Sequence, residues 1–337
     1  MRRPRMRPTP RLVITVAVVL LLVLSETTHA GAFFSRSTLS TLTPFVGVML
    51  IASLGQALVI GSGGIDLSVP STITLVGVVL LKVSRSDDGR LMIGVAAALG
   101  CCVFIGIVNG LVVERLHLNP FVATLAVGQI VAGVARYIRG PVPQYTRVPP
   151  TLSERARWNA SGVSTALIVA VVLTIIAALV LRSTVAGRHL VASSASRPAA
   201  TLIGLHALRY RILTFVASSL LAGVAAVLLA GQLGAPDLSL GSPYLLATVV
   251  AVVISGAVLS GGRVDLVGVA LGAVFITVLN HNLRVQGYST GFAQLVQAAV
   301  LGGGLAAVHL VRNRRDVWSA LTRGMPRRTT APAPINH

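Results

Sequence analysis

The chain has 337 residues, 54% of them hydrophobic and 11% charged, with a mean hydropathy of +0.83; soluble domains carry about 25% charged residues, so a soluble fold is excluded and a membrane helix bundle is implied. The formal charge of +19, from 28 Lys and Arg against 9 Asp and Glu, would suggest nucleic acid in a soluble chain. In a membrane protein it reports first on which side each loop lies, and no nucleic-acid partner is expected.

The amino terminus, MRRPRMRPTPR followed by LVITVAVVLLLVLS, has the basic start and short apolar core of a signal peptide, with Thr28-His29-Ala30 where cleavage would fall. Flanking Ser, Thr and Ala extend the run to about the 20 residues of a spanning helix, and we read an uncleaved first helix. Further apolar segments cover 44–60, 69–81, 91–113, 120–138, 163–181, 212–231, 245–259, 266–280 and 292–311. The fold class is therefore all-α: a polytopic bundle of about ten transmembrane helices in a cell membrane. With both termini cytoplasmic, 18 of the 28 basic residues fall on inside segments and 10 outside, the asymmetry expected of cytoplasmic loops. Residues 1–311 read as one transmembrane domain and 312–337 as a basic, flexible cytoplasmic tail. Cys101 and Cys102, adjacent within an apolar segment, indicate neither a disulfide framework nor a metal site.

Residues 61–71, GSGGIDLSVPS, interrupt the apolar run, and Asp66 is the only ionisable residue between Arg36 and Lys82. Two readings fit. The stretch is a short loop with Asp66 capping the next helix, or a broken-helix element in a substrate path, where an intramembrane acid marks function. Residues 260–266, SGGRVDL, echo it between the eighth and ninth segments, and paired glycine-interrupted segments point to a binding site at a repeat interface. Two loops carry further information. The outer loop 139–162, with Tyr145 and Trp158, is an interfacial anchor or a docking surface for an external partner. The loop 182–211 faces the cytosol; its Ala-rich centre, 195–208, is expected to form a short helix, which docks on another protein or rests near anionic lipid heads.

Four stretches together carry a resemblance. GQALVIGSGGIDLSVPS (55–71), NGLVVERLHLNPFVATLAVGQI (109–130), AGRHLVASSASRPAATLIGL (186–205) and AVVISGAVLSGGRVDLVG (251–268) resemble, in order, the permease subunits of ribose-type ABC sugar importers. The resemblance covers about residues 44–311. It implies a homodimeric permease that is not an enzyme, fed with a monosaccharide by an extracytoplasmic sugar-binding protein. It also implies a cytoplasmic ABC ATPase, usually two fused cassettes, which binds ATP and Mg; this chain holds no cofactor. The family's coupling segment matches 187–205, which makes Arg188, Ala199, Ala200 and Gly204 the positions for ATPase contact. Arg197 and Pro198 stand where similar permeases carry an acidic residue before the Ala-Ala pair, and Pro70 stands at a usual glycine, where it suits a first helical turn.

Candidate path-lining groups are Gln56, Asp66, Ser68, Asn109, Asn119 and Asn280, which can replace water around a sugar hydroxyl; for the amides, glue between membrane helices is the alternative. No phosphate-binding Gly-rich loop with Lys-Ser/Thr is present, and Lys82 is the only lysine. Rival functions are a related importer of nucleosides or branched-chain amino acids, an ion-coupled carrier, and a membrane scaffold. The near absence of ionisable residues from the spans argues against the carrier.

Overall fold

The computed structural model describes residues 10–28, 31–195, 200, 205, 207–259, 261–262 and 264–312. Twelve α-helices occur among them: α1 (Pro10–Thr28), α2 (Arg36–Gly61), α3 (Val69–Ser84), α4 (Leu91–Arg115), α5 (Pro120–Arg139), α6 (Pro150–Arg157), α7 (Thr165–Ser183), α8 (Val185–Ala195), α9 (Ala207–Leu233), α10 (Tyr244–Ile254), α11 (Leu266–Val285) and α12 (Thr290–Arg312). Each of the ten apolar segments coincides with one helix. Seven helices among the described residues are long and apolar enough to cross a membrane: α1, α2, α4, α5, α7, α9 and α11. At 16 and 11 residues, α3 and α10 are shorter.

Helix α2 is the centre of the bundle. It is apolar on every side, as a helix surrounded by others must be, and α7, α9, α10 and α11 all pack on it. Ile51, Leu54, Ile73, Phe215 and Ile276 are its fully buried neighbours and members. Small residues set the spacing. A Cβ on Gly47 would overlap the Ala166 backbone, and one on Gly272 the Ala251 backbone, so these helices touch main chain to main chain, the contact that drives association where lipid removes the hydrophobic difference.

Contacts sort the helix termini into two ends. At one, Gly262 N–H donates to the Gly61 carbonyl at 2.9 Å, Arg11 pairs with Asp265, and Thr124 meets the 62–68 loop. At the other, Ser86 donates to the Arg147 carbonyl, Arg139 to that of Pro236, and Asn282 to Ser25. We call the first the break end, because both glycine breaks lie there. Helix α1 runs from Arg11 at the break end to Ser25 at the far end and packs against α11, which makes it an integral member of the bundle.

Three expectations change in detail. The loop 139–162 contains the short helix α6 and, with the next residues, a two-residue hairpin pairing Asn159–Ala160 with Val163–Ser164, so this ribbon is the one sheet among the described residues. In the 182–211 loop the described helix is α8, earlier than the expected 195–208, most of which lies outside the described residues, as does 313–337. Arg211 is not a lipid-facing loop residue: it starts the buried part of α9 and pairs with Glu114 of α4.

Candidate functional site

The chain cannot continue as helix past Gly61. Gly63 adopts φ +83°, a left-handed geometry that costs glycine nothing, and the Gly63 and Gly64 amides turn back onto the carbonyls of Ile60 and Val59. The loop then re-enters the bundle. Gly55 and Asp66 both contact Ser218 of α9, so Asp66 lies level with Gly55, six residues or about 9 Å inward from the end of α2.

Asp66 is 2% exposed, and its carboxylate is fully engaged. Oδ1 accepts from the Ser68 amide at 3.0 Å and from Ser68 Oγ at 2.6 Å, and Oδ2 accepts from Ser218 Oγ at 3.0 Å. Asn109 Nδ2 of α4 donates to Ser68 Oγ at 2.7 Å. The next amide, Leu67 N–H, donates to Thr124 Oγ1 of α5 at 3.0 Å. One loop is thereby tied to α4, α5 and α9. The capping reading of Asp66 describes part of this, since Asp66 holds the turn into α3, where Pro70 occupies the first turn, and Asp66 also clamps the broken element inside the bundle. Charge-assisted bonds of this kind are the strong ones.

The second break lies against the first. Gly261, at φ +94°, has its α-carbon hydrogen so close to Gly63 that a Cβ would stand 3.1 Å from the Gly63 N and Cα. Gly261→Ala is therefore expected to destabilise by about 1–2 kcal/mol from the left-handed backbone alone, read as an earlier melting transition in detergent. Asp265 caps α11 by accepting from Val267 N–H at 3.2 Å and holds Arg11 in a bidentate pair, with Nη2 at 2.7 Å. That pair is solvent-facing, so Arg11→Gln should shift the melt only slightly and less in high salt. From the far side, the 234–243 segment descends along α3: Pro236 and Leu240 pack on Gly77, and Gly241 N–H donates to Thr74 Oγ1 at 3.1 Å. It delivers the short helix α10 to the interior, beside the start of α3.

Of the residues named from sequence, Asp66, Ser68 and Asn109 are brought together. Gln56 is fully buried on α2, and neither its Oε1 nor its Nε2 finds a protein partner among the described residues; nor does Asn109 Oδ1. Asn119 is exposed and caps α5 by accepting from Phe121 N–H at 2.9 Å. Asn280 accepts from Gln297 Nε2 at 2.9 Å, linking α11 to α12. Arg188 is exposed on α8, and Ala200 is buried, whereas Ala199 and Gly204 lie outside the described residues. Sequence reasoning missed Ser218, Thr124 and the Glu114–Arg211 pair. In that pair Nε lies 2.9 Å from Oε1, both side chains about 95% buried, a charge contact whose N–H is not aligned for a hydrogen bond.

A cleft of about 1000 Å³ opens at the break end, where Gly61 and Gly262 form its inner wall and α1, α7, α8 and α11 its sides. It meets the junction of the two breaks from outside, as the Asp66 cluster does from within.

The family model described as branched-chain amino acid transport system / permease component matches residues 38–303. A probable ABC transporter permease protein, y4mJ of Sinorhizobium fredii, is 32% identical over 84% of this chain and 86% of its own length. The ribose import permease protein RbsC of Escherichia coli K12 is 29% identical over 90% of this chain and 94% of its own. The galactofuranose transporter permease protein YtfT of the same strain is 32% identical over 74% and 73%. No solved structure matches the chain significantly. A bundle of long apolar helices around two apposed glycine breaks, matched by that family model over most of its length, is a multi-pass membrane protein, and the chain belongs to the family of transport-system permease components.

Proposed function

We propose that the chain is the membrane permease of an ABC importer for a monosaccharide, delivered by an extracytoplasmic binding protein and driven by a separate cytoplasmic ATPase. The observation that carries the substrate class is the near end-to-end similarity to a ribose import permease. The geometry fits a neutral, hydroxyl-rich cargo: buried hydroxyls and amides surround the break, and its buried acid Asp66 is already held by three hydrogen bonds. Gln56 and Asn109 offer unpaired amide atoms that a sugar hydroxyl can satisfy, since a buried polar group without a partner is costly.

In this reading ten helices span the bilayer with both termini cytoplasmic, residues 1–311 act as one permease domain, and two copies form the path. The break end faces the cytosol. There α8 and the residues after it, with Arg188, Ala199, Ala200 and Gly204, meet the ATPase, in which two cassettes are fused in one chain and which alone binds ATP and Mg. The junction of the two breaks is the bistable element: a small shift of α8 against α7 changes the Gly61–Gly262 contact, and packed interfaces respond to such shifts by switching between discrete arrangements. Asp66, with Ser68 and the Leu67 amide, anchors the α2–α3 loop to α4, α5 and α9 so that it moves with them as one body.

A second reading follows from the family description, which names branched-chain amino acids. The two separate in one experiment. The cognate binding protein is loaded with labelled ribose, galactofuranose, a nucleoside or leucine, and uptake is followed in proteoliposomes containing the permease and ATPase. ATP-dependent uptake of a sugar is expected; uptake of leucine alone would overturn the substrate class.

A further inference from the structure

The cleft at the break end has an apolar wall and a second arginine, Arg182, that the transport reading does not use. Its side walls are formed by α1 and α7, the two least buried of the seven long apolar helices, so it opens outward from the bundle rather than into it. Its apolar lining includes Leu58, Ile175, Leu190 and Val267, and the last two of the α7 and α11 residues named here, Ile175 and Val267, are more than half exposed. Its rim carries Arg182 and Arg188. Among the described residues no carboxylate pairs with either: Arg188 reaches only the Ser183 carbonyl, at 3.2 Å, and the cleft's acid, Asp265, is occupied by Arg11. Two guanidinium groups without a carboxylate partner among the described residues thus stand beside an apolar slot that opens away from the bundle.

We propose that this cleft is a binding site for an anionic phospholipid, its phosphodiester held by Arg182 and Arg188 and an acyl chain lying along Ile175 and Leu58. The guanidinium fork matches a phosphate's paired oxygens, and basic pockets between helices at the cytoplasmic surface suit anionic headgroups. The placement at the membrane surface rests on the multi-pass membrane reading. The bound lipid would touch α8 and lie beside the Gly61–Gly262 contact, so lipid charge would act on the junction of the two breaks.

The test uses the full-length chain in nanodiscs of phosphatidylcholine containing a minority of phosphatidylglycerol, with retained lipids counted by native mass spectrometry. Wild type is expected to retain phosphatidylglycerol preferentially. Removing the charge should lower that preference about five-fold per arginine, so R182Q with R188Q lowers it about 25-fold, while R115Q, at the end of α4 away from the cleft, leaves it unchanged. Equal melting of all three in pure phosphatidylcholine shows that they fold. Ile175→Trp fills the slot without altering its charge and should lower retention as well, which guards against a double variant that misfolds. Undiminished enrichment in R182Q/R188Q or in Ile175→Trp would overturn the site. Displacement of the lipid by excess inorganic phosphate would reassign it to a free anion, and a disulfide between two copies carrying Ala178→Cys would assign the cleft to a second permease; either result defeats the proposal. Loss of sugar uptake with lipid retention intact would instead count against the transport reading alone.

Discussion

Replacing Asp66 with alanine is expected to reduce uptake at least about tenfold and to destabilise the protein by about 3 kcal/mol or more, while leaving it inserted in the membrane. The carboxylate accepts from the Ser68 amide, the Ser68 hydroxyl and the Ser218 hydroxyl. Alanine leaves all three donors buried without an acceptor, at about 1–3 kcal/mol for each unsatisfied group. The loop between α2 and α3 would then lose its tie to α9, and through Ser68 the orientation of the Asn109 amide. Asp66→Asn, which keeps one acceptor oxygen, should lose less than half as much stability. Melting temperature in detergent and labelled-sugar uptake at matched membrane abundance separate the two effects. Wild-type uptake by Asp66→Ala would remove the clamp from the account.

Arg211→Met alone should be strongly destabilising, by about 3–5 kcal/mol, because it takes away one side of a buried ion pair and leaves the change in charge uncompensated in the bundle interior. The two side chains are about 95% buried and 2.9 Å apart, and they join α4 to the first turns of α9. Glu114→Leu alone should behave similarly. Combined, the two substitutions are expected to recover most of the loss, since replacing a buried ion pair by apolar side chains of similar volume is often neutral or better. A double-mutant cycle on melting in detergent reads this coupling directly. Strictly additive effects of the two variants would show that the pair does not act as a unit.

The positions of the helices were legible because length and apolarity alone mark a membrane helix, and each of the ten segments found a helix, the largest difference being at α2, which begins at Arg36 rather than at 44. The glycine breaks were legible too: GSGGIDL cannot remain helical, and Asp66 stands out as an acid within an apolar run. Its partners did not stand out. Ser218 and Thr124 are ordinary hydroxyl residues on apolar helices, and only the packing of α9 and α5 on the re-entrant loop selects them from the other serines and threonines. Glu114 precedes Arg115 at the end of an apolar segment, which reads as a pair of interfacial charges; burial of one and exposure of the other depends on the helix face that α9 covers. Asn119 could have been read correctly, because Asn before Pro at a helix start is a capping signature, and in the structure it caps α5. Residue type alone does not distinguish a cap, such as Asn119, or an interhelical tie, such as Asn280, from a path-lining amide.

The apposition of the two breaks was the least accessible feature. SGGIDLS and SGGRVDL are separated by almost 200 residues, and their similarity does not say that they touch. Their contact depends on α10 being short enough, and on the 234–243 segment descending far enough along α3, to bring Gly262 to Gly61. That is a property of packed helix lengths rather than of local propensity.

The central claim is that this permease moves its cargo only when coupled to an ATPase at the break end. The most direct measurement is gentle purification of the tagged protein from its native membrane, with identification of the chains that accompany it, followed by uptake with and without ATP in vesicles made from that preparation. The account predicts a co-purifying two-cassette ATPase, weaker association after Arg188→Glu, and uptake that requires ATP. A protein recovered reproducibly alone that still moves solute without ATP would contradict it and make a secondary carrier the leading description.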